Sequence, residues 1–527
     1  MGVLLALAIG GVYAITLHPG VGRGDTAELQ YVGPLLGVCH PPGYAIEVTF
    51  ARLFNAISVG PSVAWRINLM MAVCGTIGCL LFYGTVRRIT GRIWTGCIAA
   101  GLLAFSNIYW QHSVLAEVYV FYAVFLLLAT YATARFLGSD RAGWLFLTAG
   151  ALGVCVGDRI SEVTILPAFA ALWWFQRRRV HLNVGRIILS LVLFVLPFAY
   201  SVTFFWVRND PAQTYARDDA TCRQILEHET PFQERPFRAK LSDALKYCLG
   251  LKWAERGNFS MKRLGEDVQK YGWLLSGAGG FGDRYERTTP ALASKQTQQG
   301  SGSAIGGLAL LFGAAGIWRQ WKQWQWIVFG AGLFAGNLAF YLGHQAPDNL
   351  DFVIPGLAGI ALLVALGMDG LIGGCRNAKA SWFMRSACLA APLFLLITNY
   401  IFLTENASLE RARIDYCTRL AAAPLPRNCI LLSHRNSGMV YRYLYHVEAG
   451  RTDVMVINAD PGAWPKLVNH LMRQGRIILV HAPPKNERQY GAVVMPGDPI
   501  PPELRSRWLV NTPRELAGLD FLRVTSR

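Results

Sequence analysis

The chain has 527 residues, 53% of them hydrophobic and only 16% charged. An average soluble domain carries about a quarter charged residues, so much of this chain lacks the polar surface needed to face water. Its formal charge of +17 comes with no basic helix and no aromatic RNA-binding motif, and much of the excess sits between apolar blocks, which argues against nucleic acid as a partner.

The apolar residues come in blocks rather than dispersed at helical spacing, and a bilayer core takes about 20 helical residues to cross. Candidate spans are 2–17, 67–86, 93–110, 118–134, 143–157, 160–176, 187–207, 303–318, 325–343, 352–373 and 386–403. The expected fold class is therefore an α-helical polytopic membrane protein of about eleven spans. Only Asp158 and Arg159 separate the fifth and sixth blocks, so these are a tight pair or one broken helix. The first block lacks a basic flank and a small-residue cleavage site, and reads as a retained helix.

Orientation follows from alternate loops. Arg87, Arg88 and Arg92, then Arg135 and Arg141, then Arg177, Arg178, Arg179 and Arg186, then Arg319 and Lys322, then Arg376, Lys379 and Arg385 all fall on one side. Loops 111–117 and 344–351 carry no Lys or Arg. The positive-inside rule places the basic loops and the N-terminus in the cytosol and the C-terminus outside, in a bacterial inner membrane or, in a eukaryote, that of the endoplasmic reticulum. The organisation is then a membrane module 1–207 with a first outer loop 18–66, an outer loop 208–302, further spans in 303–403 and an outer domain 404–527.

Within 208–302, Leu241, Ala244, Leu245, Cys248 and Leu249 lie at helical spacing, followed by Trp253, with Lys240, Asp243 and Lys246 opposite, which predicts an interfacial amphipathic helix. Ser294–Ser303, rich in Gly, Ser and Gln, reads as a flexible stretch. The tail alternates strand-like runs (Cys429–Leu432, Val454–Asn458, Arg476–Val480) with helical stretches (Gly438–His446, Trp464–Arg473), which predicts a small α/β domain with a parallel sheet. It holds no GxGxxG and no P-loop, and a rigid cap or an acceptor-docking module is the expected role.

The eleven cysteines form no CxxC pair and no Cys/His group at zinc spacing. Cys74, Cys79, Cys97, Cys155 and Cys388 lie inside apolar blocks as packing residues. Cys222 with Cys248, and Cys417 with Cys429, fall outside the cytosol, where disulfides can form.

The residues able to carry chemistry lie at the outer boundary. Gly24-Asp25-Thr26-Ala27-Glu28-Leu29-Gln30 puts two carboxylates one helical turn apart, Asp25 and Glu28; the same spacing is also a capping arrangement. His40-Pro41-Pro42-Gly43-Tyr44 is a stiff non-helical turn, either a chain reversal or a place where His40 meets a phosphate. Glu117 stands where the fourth span enters the bilayer, an acid that is costly there unless solvated or paired, or else one that serves the helix dipole. Arg66 and Arg159 are cations on the same side, able to pair with a carboxylate, meet a lipid phosphate or snorkel.

GDTAELQ, HPPGY, WRINLMMA and LAEVYVFYA, in that order and spacing, resemble the GT-C superfamily of membrane glycosyltransferases, in the branch holding bacterial polytopic enzymes and the eukaryotic transmembrane protein O-mannosyltransferases. The segment Pro424–Asn458 also resembles the region after the last span in bacterial members. The resemblance implies that Asp25 is the catalytic carboxylate with Glu28 and Glu117 beside it, and that His40, Tyr44, Arg66 and Arg159 belong to the donor and phosphate site. It implies inverting transfer of a sugar from a polyprenyl-phosphate donor to an acceptor hydroxyl on a protein, glycan or lipid, with Asp25 as base. No cofactor is required; a divalent metal on the acids is compatible but not demanded, and no metal ligand is assigned. Ala45 stands where the family usually has proline, Glu47 is an acid in a normally apolar helix, and Asp351 precedes Phe352 where a basic residue is common. The rival reading is a transporter or flippase with the carboxylates as proton or substrate sites; a third is a non-catalytic scaffold.

Overall fold

The computed structural model describes residues 1–177, 182–251, 305–343, 352–404, 407–481, 508–511 and 521–526, with Gly265, Val268, Tyr271, Gly272 and Leu275 between. Loop 344–351 with Asp351, together with Arg178, Arg179, Trp253 and all of Ser294–Ser303, lies outside the described residues.

The chain is a multi-pass helical membrane protein. Helix α1 is Gly2–Ile15; α2 (Gly24–Leu35) and α3 (Ala45–Asn55) occupy the first outer loop; α4 (Val63–Thr90), α5 (Ile93–Ala104), α6 (Asn107–Ser113), α7 (Val118–Leu137), α8 (Ala142–Asp158), α9 (Leu166–Phe175) and α10 (Val184–Arg208) follow. Next come α11 (Thr214–Glu227), α12 (Phe237–Cys248), α13 (Gly307–Gly316), α14 (Trp324–Gly343), α15 (Ile354–Gly373) and α16 (Ala378–Thr404). Among the described residues six helical stretches are long and apolar enough to cross a bilayer, or seven if α5 and α6, bent by 72°, count as one. Shorter apolar helices at Gly2–Ile15, Ala142–Asp158 and Ile160–Phe175 complete the set. The block expected as a span 93–110 thus breaks after Ala104, and blocks 143–157 and 160–176 are separate apolar helices divided at Arg159 (φ −144°, ψ 86°).

Helix α15 is the axis of the later spans. Gly313 and Gly316 of α13 lie against Val364 and Gly367, while Gly330 and Leu333 of α14 lie against Gly359, so α13 and α14 run along α15 in opposite directions. Such close backbone approach is how helices pack in lipid, where small residues gain dispersion contacts. The basic loops gather at one end. Arg88 donates to the Ala134 carbonyl, Arg186 pairs with Asp140, and Gln323 donates to the Ile89 carbonyl. Arg92 meets buried Asp369 at 3.2 Å, where Thr95 and Gln320 also donate.

At the other end, α17 (Ala407–Ala421) leads into β1 (Ile430–Ser433), α18 (Arg435–Arg442) with a π-helical turn Tyr443–Glu448, β2 (Met455–Asn458), α19 (Trp464–Arg473), β3 (Ile478–His481), β4 (Trp508–Asn511) and β5 (Phe521–Ser526). The sheet order is β2-β1-β3-β5-β4. The three strands read from the sequence are parallel, but β5 is antiparallel to β3 and β4, so the expected parallel sheet is mixed. Helix α19 buries Trp464, Leu467, Val468 and Leu471 against it.

None of the eleven cysteines is in a disulfide. Cys222 packs with the sheet and Cys248 with Phe205 and Phe232, in separate clusters, so that expected disulfide is not formed. Cys417 and Cys429 share a core as buried thiols and are not bonded either. Helix α12 is the expected amphipathic helix, but its buried residues, Ala244 and Cys248, face α10 rather than lying open to lipid.

Candidate active site

Helix α2 starts where Gly24 takes φ 52°, a left-handed conformation natural to glycine, and where a Cβ on Gly22 would lie 2.1 Å from the Thr26 side chain. This tight entry brings Asp25 to the surface with its side chain 41% exposed, while Glu28, one turn on, is buried. The capping alternative fails: the residue before the helix, Arg23, has no side-chain cap, and Glu28 reaches away from the helix start. Its carboxylate takes the backbone N–H of His40 at 2.8 Å and the ring Nδ1 at 2.6 Å. The other ring nitrogen, Nε2, then faces Asp25 at 3.9 Å. Burial alone would lower the His40 pKa, but the Glu28 charge, helped by Cys39 and Asp25, outweighs it and holds the imidazolium well above the ordinary histidine range. Cys39 Sγ lies 3.5 Å from Nδ1, and burial pushes its thiol up.

The HPPGY turn is fixed from three sides. Tyr44 sits in the left-handed region at φ 47°, its ring against those of His40 and Tyr122. Tyr247 of α12 donates to the Cys39 carbonyl. Asp158, at the break after α8 and 1% exposed, accepts the N–H groups of Ala45 and Ile46, both at 2.9 Å, and the hydroxyls of Tyr122 and Ser201. A carboxylate from another helix thus caps α3, satisfying amides that its own residues leave unpaired.

Glu117 joins the group through Thr26, whose hydroxyl donates to it at 2.6 Å. Arg159 is 3% exposed, pairs with Glu162 at 2.9 Å through Nη1 and lies over the rings of Tyr119 and Phe352 at 4.5 and 4.9 Å. Its Nε and Nη2 have no hydrogen-bond partner among the described residues. The structure therefore brings Asp25, Glu28, His40, Tyr44, Glu117 and Arg159 to one region. It does not bring Arg66, which donates to Asn55 and to the Val59 carbonyl and so ties the turn between α3 and α4.

Several residues here were not singled out by sequence reasoning. Gln30 accepts the Gly22 N–H and donates to Asn68; Asn68 donates to the carbonyls of His18 and Gly20 and accepts the Ala116 N–H. This buried network physically links GDTAELQ, WRIN and LAE. Asn68 was detectable as an amide inside an apolar span, and Asp158 and Glu162 as acids beside one. Both α2 and α4 meet the C-terminal domain: Tyr31 of α2 packs on His446, and Tyr443 accepts the N–H of Ala64 in α4. Arg442 grips Asp219 of α11 at 2.6 and 3.1 Å, and Asp218 accepts the Val456 N–H.

The half-exposed Asp25 carboxylate, His40 and the buried Arg159 thus lie together at one end of a helical membrane bundle. Residues 25–182 match the family model described as the Protein O-mannosyl-transferase TMEM260 N-terminal domain. The chain is 25% identical over 505 residues to Protein O-mannosyl-transferase TMEM260 of Mus musculus, covering 88% of this chain and 64% of that one. It is 29% identical over 498 residues to the tmem260 protein of Dictyostelium discoideum, covering 88% and 57%. The chain thus spans about three fifths of the length of these relatives. Among solved structures, ArnT from Cupriavidus metallidurans in the apo state superposes with a TM-score of 0.51 over 99% of this chain and 97% of that one, at 11% identity, a likeness of fold.

Proposed function

We propose that this chain transfers a sugar, mannose by the names of its relatives, from a polyprenyl-phosphate donor to a hydroxyl of an acceptor protein, at the face of the membrane that carries α2 and the C-terminal domain. The lipid-phosphate donor follows from the resemblance of the four motifs and suits the buried, part-unsatisfied Arg159. By the charge of the loops, that face is extracytoplasmic and the N-terminus cytosolic. The observation that carries the reading is the Asp25–His40–Glu28 arrangement: a half-exposed carboxylate open to an incoming hydroxyl, next to an imidazolium fixed from behind.

Transfer needs little acid help, because a phosphate already leaves well. The acceptor O–H gives its proton to Asp25 as its oxygen attacks the anomeric carbon from the side opposite the phosphate, which inverts the configuration. Arg159, unable to lose its proton, stabilises charge growing on the departing phosphate. His40, kept charged by Glu28, faces Asp25 across 3.9 Å and orients it. Glu117, bonded to Thr26, steadies the first turn of α2, and Tyr44 walls the site. Arg66 takes no part beyond its turn.

The test is transfer of labelled mannose from polyprenyl phosphate by the purified chain in detergent. Asp25→Asn should abolish transfer while leaving the size-exclusion profile unchanged; near-normal activity would refute the assignment. A transporter would need a sealed compartment and show no transfer in detergent.

A further inference from the structure

Glu47 has no structural employment. It is the third residue of α3, the position from which a glutamate ordinarily reaches back to the amides at a helix start. Asp158 already takes the N–H groups of Ala45 and Ile46, so that task is filled from another helix. Glu47 is nevertheless 0% exposed, and neither carboxyl oxygen has a hydrogen-bond partner among the described residues. Burying a carboxyl group unpaired is costly, and the cost is recovered only when something supplies the missing hydrogen bonds.

The charges that reach Glu47 locate it. Asp158, Glu117, Arg159 and His40 all act on it, and it acts in turn on Cys74 of α4 and Tyr122 of α7. It stands on α3, which packs against α2, α4 and α8, within the electrostatic neighbourhood of the candidate active site. Burial first, then the charges of Asp158 and Glu117, push its pKa well above the carboxyl range, and a neutral acid both donates and accepts. Within the same electrostatic neighbourhood Arg159, equally buried, has two nitrogens that only donate and that are likewise unmatched. The complement of this pair is a ligand that only accepts at one end and carries hydroxyls at the other, which is the chemistry of a phosphorylated sugar.

We propose that Glu47 reads the transferred sugar, its carboxyl group bonding one or more sugar hydroxyls while the Arg159 guanidinium holds the phosphate. This rests on the donor being a lipid-linked sugar phosphate, as above, and adds a residue that discriminates among sugars.

The experiment uses the full chain in detergent with three probes: polyprenyl-phosphate mannose, the same donor with single hydroxyls replaced by hydrogen, and bare polyprenyl phosphate as a competitor. In the unaltered chain, removal of one particular hydroxyl should lower kcat/KM about tenfold or more. Glu47→Leu should lose a similar factor on the complete donor and lose nothing further on that deoxy donor, with Glu47→Gln intermediate. Competition by bare polyprenyl phosphate should be unchanged. Equal discrimination among deoxy donors by Glu47→Leu, or an equal loss of bare-phosphate binding, would overturn the proposal. If neither variant folds, the unaltered chain still decides, because indifference to every deoxy donor overturns it too. Absence of any transfer from lipid-linked mannose by the unaltered chain would instead overturn the proposed function.

Discussion

Glu28 grips His40 twice, by the backbone N–H at 2.8 Å and by ring Nδ1 at 2.6 Å, and so fixes which way the other face of the imidazole looks. Position and charge of the ring are thus set by one carboxylate. Glu28→Gln keeps an acceptor but removes the charge that favours the imidazolium. Transfer should fall about 10²- to 10³-fold. His40 would then lose its proton at lower pH, so the alkaline fall of kcat/KM should move to lower pH. An unmoved alkaline limb would show that His40 does not govern it.

The same pair makes stability depend on pH. The folded His40 pKa lies above its unfolded value of about 6.5, so the stabilisation is fully present below about pH 6.5 and is lost as the pH rises through the raised folded value. The melting temperature of His40→Gln should accordingly lie furthest below that of the parent near pH 6 and approach it in strongly alkaline buffer. A gap independent of pH would mean that the ion pair contributes nothing.

Asp158 serves four donors from three segments at once: the start of α3, Tyr122 and Ser201. Asparagine in its place has one acceptor oxygen and turns N–H groups toward donors. Asp158→Asn should cost about 3 kcal/mol or more, in line with breaking buried charged hydrogen bonds. A fluorescence melt reads this as a clear drop in transition temperature, and transfer should fall with it because HPPGY loses its anchor. A variant as stable as the parent would mean that α3 finds its cap elsewhere.

The cysteines allow a direct count. Eleven thiols should react in denaturant without reductant; a count lower by two would reveal a disulfide. In the folded chain Cys222, its thiol pushed up to about 11 by burial, should resist maleimide near neutral pH, since the thiolate is the reactive form.

The membrane class was legible because a bilayer imposes a block length that composition records directly, and the break at Asp158 and Arg159 was visible as two charges between apolar runs. The bend after Ala104 was not, since Ile93 to Trp110 reads as one apolar block and only the structure turns it at Phe105 and Ser106. Strands β1 to β3 follow the alternation of apolar runs and helices, whereas β5 pairs with β3 across the 39 residues between them and β4 joins the sheet only through β5, which local pattern does not encode. In the candidate site, spacing alone made Asp25 and Glu28 a helix cap. What gives Glu28 its other role is His40, twelve positions on and joined to it only by folding. Arg66 shows the opposite limit: its charge and place suggested a phosphate site, while the nearest acceptors turned out to be Asn55 and a carbonyl.

The Gln30–Asn68–Ala116 network has a bearing on engineering. Because one amide on α4 is shared between the segment before α2 and the segment before α7, the three stretches form a single interchangeable cassette rather than three parts. A chimaera that imports residues 18–44 from another enzyme should succeed only when residue 68 and the stretch around 116 travel with it. Loop grafting on this scaffold is therefore best planned by hydrogen-bonded unit rather than by loop boundary.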